Sequence, residues 1–184
     1  MSELEKMLKG EEYLPEDPEL KKLYMECRDF LDELNATKFG DYDSREILCR
    51  KKFGKVGKNL VLNKPFYCDY GFNIFLGDNV YFNNDCILLD VNKIIVGNNV
   101  LFAPRVCVYT TNHVLDKEKR RLGYEIPKPV IIGNDVWIGG NTVINPGVTI
   151  GDNVVIGSGS VVTKDIPSNV IAVGNPCKVI KKLI

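Results

Sequence analysis

The feature that most constrains this chain is a period of six. From Ile132 onward an aliphatic residue opens every hexad: Ile132, Ile138, Ile144, Ile150, Ile156 and Val162. Gly, Asn or Thr usually follows it, and Val or another small residue usually stands fifth. The pattern also occurs earlier, at Val56-Gly57, at Leu76-Gly77-Asp78-Asn79-Val80 and at Val96-Gly97-Asn98-Asn99-Val100. A short fixed period of this kind marks a β-solenoid. Each hexad supplies a short strand and a turn, so three of them close a triangular coil of about 18 residues. The aliphatic residue points inward and stacks on its equivalents, while Gly and Asn near the corners permit positive φ. Successive coils pair as parallel strands about 4.8 Å apart. A parallel sheet with crossover helices is excluded, because no helices separate these strands. Strict hexads do not serve the hairpins of an antiparallel sandwich either. The expected fold is therefore mainly β, a parallel β-helix of six or seven coils between Val56 and Gly174.

Two departures from the period stand out. Leu76 to Val96 spans 20 residues, two more than one coil. Tyr109 to Pro129 breaks the pattern completely and is polar and charged, so it is expected to project as a loop.

The first third of the chain reads differently. Leu20, Leu23, Tyr24, Cys27, Phe30, Leu31 and Leu34 recur at steps of three and four, one apolar face of a helix. Asp17-Pro18 supplies its N-cap and first residue, and Asn35 is able to end it. A second short helix is expected from Asp43 or Ser44 to about Lys51. The chain thus divides into an N-terminal helical segment, 1–55, and a β-helix domain, 56–184, interrupted by the loop 109–129. The helical segment packs on the flank of the coils or on a neighbouring subunit. Whether it also lines an acceptor site is open from the sequence.

Lys and Arg total 24, as do Asp and Glu, which gives no electrostatic argument for nucleic acid or membrane as partner. No run of about 18 apolar residues is present, and residues 1–10 lack the apolar core of a signal peptide. A cytoplasmic protein is the expectation. The six cysteines form no CxxC motif, and one histidine cannot complete a Cys/His zinc site. They read as reduced, mostly buried thiols. On an 18-residue coil, Cys68 and Cys86 are expected to stack.

The only histidine, His113, stands where the repeat gives way to the loop, directly after Thr110-Thr111-Asn112. A neutral imidazole suits proton removal from a hydroxyl near neutral pH. A metal site of three imidazoles, as in carbonic anhydrase chemistry, is excluded by the count. No metal is expected.

Gly10-Glu11-Glu12-Tyr13, Asp17-Pro18-Glu19-Leu20, Tyr70-Gly71-Phe72-Asn73-Ile74, Asn83, Leu89-Asp90-Val91 and Asn112-His113 run through the chain. Asp135-Val-Trp-Ile-Gly-Gly140, Asn145-Pro-Gly-Val-Thr-Ile-Gly151, Gly157-Ser-Gly-Ser-Val-Val-Thr-Lys-Asp-Ile-Pro167 and Gly174-Asn-Pro-Cys-Lys178 follow. Together they resemble the hexapeptide-repeat sugar O-acetyltransferases, the maltose and galactoside acetyltransferases. The resemblance implies a left-handed β-helix, a homotrimer with sites between subunits, and acetyl-CoA as donor. It implies His113 as general base toward a sugar hydroxyl. It places Asn83 and Asp69 at the acceptor, with Asp90 near another acceptor contact or capping a coil corner. Coenzyme A would meet Trp137, Gly140, Ser158, Thr163, Lys164, Lys178 and Lys181, the lysines answering its phosphates. The N–H of Gly140 would receive the oxyanion. Lys178 and Lys181 stand where some relatives carry arginine, which weakens bidentate phosphate contacts. No Ser, Cys or Lys nucleophile shares a motif with His113, so direct transfer is expected over an acyl-enzyme. Two alternatives stay open: transfer to serine, an antibiotic or an amino sugar, and a non-catalytic trimeric scaffold.

Overall fold

A computed structural model describes residues 1–183. Its core is a parallel β-solenoid with three faces. The first face stacks Val61–Leu62, Tyr81–Phe82, Leu101–Phe102, Trp137–Ile138, Val154–Ile156 and Val170–Val173, all parallel. These six levels are the six coils. The second face stacks Phe66–Cys68, Cys86–Leu89, Cys107–Tyr109, Val143–Ile144 and Val161–Val162. The third stacks Ile74–Leu76, Ile94–Val96, Val130–Ile132 and Thr149–Ile150.

The hexad openers point inward: Ile132, Ile138, Ile144, Ile150, Ile156 and Val162 are all buried. So are the fifth positions Val136, Thr142, Val148, Val154 and Ser160. Both sets face the axis because the chain bends between them at a corner. The two corner residues do different work. The fourth position carries the positive φ, as at Asn99 (57°), Asp135 (57°) and Asn153 (53°). The glycine at the second position is needed for space, since a Cβ on Gly97 would lie 2.6 Å from the carbonyl oxygen of Gly133.

Coil length is not constant. Val61 pairs with Tyr81, Phe66 with Cys86 and Ile74 with Ile94, so the first coils hold 20 residues. Later coils hold 18, with Ile131 opposite Thr149, and the last holds 16, with Val154 opposite Val170. The expected stacking of Cys68 on Cys86 is therefore corrected. Cys86 sits beside Phe66 and Cys68 beside Leu88.

Both ends of the stack are closed. Helix α1 (Glu3–Lys9), which the sequence reading did not anticipate, starts with a capping box between Ser2 and Glu5. Helix α2 (Pro18–Ala36) begins at the Asp17 cap and buries Leu20, Cys27, Phe30, Leu31 and Leu34. Asn35 lies inside this helix. Its side-chain amide donates to the Phe66 carbonyl (3.0 Å) and accepts from the Phe66 N–H (2.9 Å). It thus pairs like a strand with the open edge of the second face. Helix α3 (Tyr42–Lys52) has Asp41 as its N-cap and starts one to two residues earlier than the sequence suggests. The aromatic rings of Phe30, Phe53, Phe66, Phe82 and Phe102 then run in contact from α2 down the first three coils. At the other end Lys178–Lys182 folds back antiparallel on Val170–Val173 and covers that edge with exposed lysines.

Candidate active site

The insertion after Tyr109 is an antiparallel hairpin rather than an irregular loop. Thr111–His113 pairs with Glu125–Pro127, and a short helix α4 (Lys117–Arg121) lies between them. Asp116 caps α4 by accepting from the N–H of Lys119 (2.8 Å). The register sets His113 directly opposite Glu125. His113 is exposed and lines a cavity of about 400 Å³ with Glu12, Asn112, Val114, Leu115, Ile126 and Lys128.

A larger cavity of about 560 Å³ adjoins the same hairpin. The N-terminal segment forms one wall with Tyr13, Glu16, Lys21, Tyr24 and Met25. The first coils form the opposite wall with Asp69, Tyr70, Leu89 and Val91, and the hairpin contributes Thr111 and Glu125. The helical segment therefore does line a cavity at the hairpin, which His113 adjoins through its cross-strand partner Glu125 and does not itself line. Tyr13 ties the walls together. Its backbone bridges Glu125 in both directions (3.0 Å each), and its hydroxyl donates to the Glu125 carboxylate. Thr111 Oγ1 donates to the same carboxylate (3.1 Å). Burial and the Glu125 carboxylate hold the Tyr13 phenol protonated, well above its ordinary range.

Asp69 opens onto this cavity, and burial, against the Arg28 charge and with a smaller push from Glu125, raises its carboxyl to about 6. Asp90 lies beneath. It is fully buried, and its carboxylate accepts from the N–H groups of Asp69 (3.0 Å), Tyr70 (2.9 Å) and Asn73 (3.2 Å). Of the two roles the sequence left open for Asp90, the geometry matches the corner cap. Its influence on the cavity passes through the backbone of Asp69 and Tyr70. Burial holds its own carboxyl well above the usual range against those donors.

The remaining expected site residues occupy other edges of the prism. Asn83 and Trp137 share a cavity of about 280 Å³ with Tyr81, Leu101 and Ala103 at the edge of the first face. Trp137 is 53% exposed there, which is unusual for so large an apolar side chain. Gly140 lies on the same edge, one coil above Ser158, and its carbonyl accepts from the N–H of Gly159 (2.8 Å). Among the described residues its own N–H donates to no backbone carbonyl. Lys178 and Lys181 stand exposed on the terminal strand of this face. Thr163 and Lys164 are exposed just after the last strand of the second face. One chain thus holds Asp69 and His113 at the edge between the second and third faces. Asn83, Trp137 and Gly140 lie across the second face, at its other edge.

Sequence reasoning missed Tyr13, Tyr24, Thr111 and Glu125. Only Tyr13 carried a signal, inside the Gly10–Tyr13 motif. Among the described residues no three His, Cys, Asp or Glu side chains gather as metal donors, and no helix is long and apolar enough to cross a membrane.

Comparison with known proteins adds the chemical context. Residues 129–164 match the model of bacterial transferase hexapeptide repeats, and residues 6–57 match the maltose acetyltransferase hexapeptide capping motif. The galactoside O-acetyltransferase of Escherichia coli is 42% identical over 82% of this chain and 74% of its own length. The crystal structure of a maltose O-acetyltransferase from Clostridium difficile 630 superposes with a TM-score of 0.98. It is 51% identical, covering 100% of this chain and 98% of that one. A hexapeptide-repeat acetyltransferase of Vibrio cholerae O1 biovar eltor, complexed with acetyl coenzyme A, has a TM-score of 0.92. It is 38% identical over 100% of both chains.

Proposed function

The chain belongs to the hexapeptide-repeat acetyltransferases, and on that premise we propose that it moves acetyl from acetyl-CoA to a hydroxyl of a sugar or glycoside. His113 is the general base. It takes the hydroxyl proton as the oxygen attacks the thioester carbonyl. The tetrahedral oxyanion accepts from the Gly140 N–H. Collapse expels the coenzyme A thiolate, which takes the proton back from the imidazolium. No acyl-enzyme is formed. Trp137, Ser158, Thr163, Lys164, Lys178 and Lys181 hold the donor, and Asp69 and Asn83 hold the acceptor.

The observation that carries this reading is the cavity of about 560 Å³ at the hairpin, lined by Glu125, the cross-strand partner of His113. It offers what a pyranose needs: the aromatic rings of Tyr24 and Tyr70 for its C–H face, and carboxylates at Asp69 and Glu125 for its hydroxyls. The separation of His113 from Gly140 and Trp137 across the second face supports a site completed by a neighbouring subunit, hence a homotrimer.

A coenzyme A thiol-release assay over a panel of sugars, glycosides, serine and antibiotics tests the acceptor class. Turnover confined to serine would end the sugar reading. His113→Ala is expected to lower turnover by about 10²- to 10⁴-fold while acetyl-CoA still binds. Unchanged turnover in that variant would remove the base assignment.

A further inference from the structure

Two of the six cysteines meet across an interface that the proposed reaction does not use. Cys27 lies on α2 and Cys68 ends the first strand of the second face. They are 41 residues apart in sequence, yet their sulfurs are 3.6 Å apart and both side chains are buried. No other two sulfurs stand within hydrogen-bond distance among the described residues.

The surroundings separate this pair from the other thiols. Burial pushes Cys49 and Cys86 up to about 12, which leaves them inert. Cys27 moves the other way. Its hydrogen bond with Cys68, in which either sulfur is able to donate, and the Lys52 and Arg28 charges favour its thiolate against the opposing effect of burial. Cys68 remains the protonated partner, held up by that same hydrogen bond and by burial, with the Asp90 charge adding to it. The Arg28 guanidinium anchors the same point by donating to the Cys68 carbonyl. The pair also sits directly behind the larger cavity. Tyr24 and Met25 precede Cys27 on one wall, and Asp69 and Tyr70 follow Cys68 on the other.

We propose that Cys27 and Cys68 form a dithiol modification site that a hydroperoxide converts to a disulfide, locking α2 to the first coil and reshaping the neighbouring cavity. The Cys27 thiolate attacks one oxygen of hydrogen peroxide. The O–O bond breaks, leaving Cys27 as a sulfenic acid and releasing hydroxide, which is protonated to water. The Cys68 sulfur then attacks the Cys27 sulfur and gives up its proton. The S–O bond breaks and hydroxide leaves as a second water. Two thiols are oxidised by two electrons and one peroxide is reduced to two waters. The sulfurs close from 3.6 Å to about 2.05 Å, which draws the Tyr24–Met25 wall toward Asp69.

The chemical part is tested without any activity measurement. The full chain is treated with hydrogen peroxide, its free thiols are counted, and proteolytic peptides are mapped by mass. The expected result is four free thiols remaining of six, a Cys27–Cys68 cross-linked peptide, and full reversal by dithiothreitol. Cys27→Ser and Cys68→Ala are each expected to abolish the cross-link, whereas Cys49→Ser is expected to keep it. Six intact thiols, a cross-link between other cysteines, or only sulfinic and sulfonic products would overturn the proposal. The link to the cavity rests on the proposed acceptor role and is read separately. Oxidised protein is expected to show about a tenfold higher acceptor KM than the reduced form, with the KM for acetyl-CoA unchanged. A cross-link that leaves the acceptor KM unchanged would overturn that link alone. An inactive reduced enzyme would instead count against the acetyl-transfer reading.

Discussion

Asn99 turns the chain at φ 57°, where most side chains are strained. Its amide donates to Asp135 (2.9 Å) and its carbonyl accepts from Asn79 (2.8 Å), so it is one rung of a ladder along the corner. Asn99→Ala is expected to lower the unfolding free energy by about 1.5 kcal/mol, and Asn99→Gly by about half as much. Urea titrations of the two variants separate backbone strain from the lost ladder bonds. Equal losses would mean that φ is not the cause. Asp69 offers a pH test. Its folded pKa, about 6, lies above the ordinary 3.8, so the native state binds its proton more tightly than the unfolded chain does. The stability this provides is complete below about pH 4 and is lost as pH rises to about 6. Relative to Asp69→Asn, the wild type should therefore lose stability across that window, as read by thermal melts at several pH values. Parallel pH curves for the two proteins would contradict the raised pKa.

The N-terminal segment and the hairpin behave as one unit, because Tyr13 joins them through two backbone bonds and one side-chain bond. Tyr13→Phe keeps the backbone bridge and the ring but removes the hydroxyl, leaving the half-buried Glu125 with Thr111 as its only hydroxyl donor. The expected outcome is a modest stability loss of about 1 kcal/mol. It comes with a several-fold rise in acceptor KM and little change in the KM for acetyl-CoA. Steady-state kinetics against both substrates check this, and equal effects on the two would point to a global fault rather than a cavity wall. The same elements mark what could be read from sequence. The α2 stripe and its Asp17 cap were legible because helical period and caps are local. The Asn35–Phe66 pairing and the Cys27–Cys68 contact were not, because they join residues 31 and 41 positions apart. The hairpin was legible only as a break in period. Its strands, Thr111–His113 and Glu125–Pro127, carry no alternating apolar pattern.

For the whole molecule, the proposed roles put His113 and Gly140 at one reacting centre, although they stand at opposite edges of the second face. The proposed homotrimer would bring them together across a subunit boundary, and light scattering should then give three times the 20.7 kDa chain. A sharper test mixes His113→Ala subunits with Asn83→Ala/Trp137→Ala subunits under conditions that exchange protomers. If each site draws on two chains, random mixing restores about a quarter of wild-type activity from two inactive parents. No recovery in exchanged trimers would place the whole site within one chain. The sequence by itself determined the solenoid, since a period of six with aliphatic openers has one way to bury its apolar edge. It also singled out His113, through the failure of that period. Tertiary structure decided the coil lengths of 20, 18 and 16 residues, the pairing of Cys68 with Cys27, and the cavity shared by Tyr13, Asp69 and Glu125. The reason is physical. Periodicity records which residues face inward along one strand. Register between coils and the docking of helices depend on side chains brought together from distant parts of the chain.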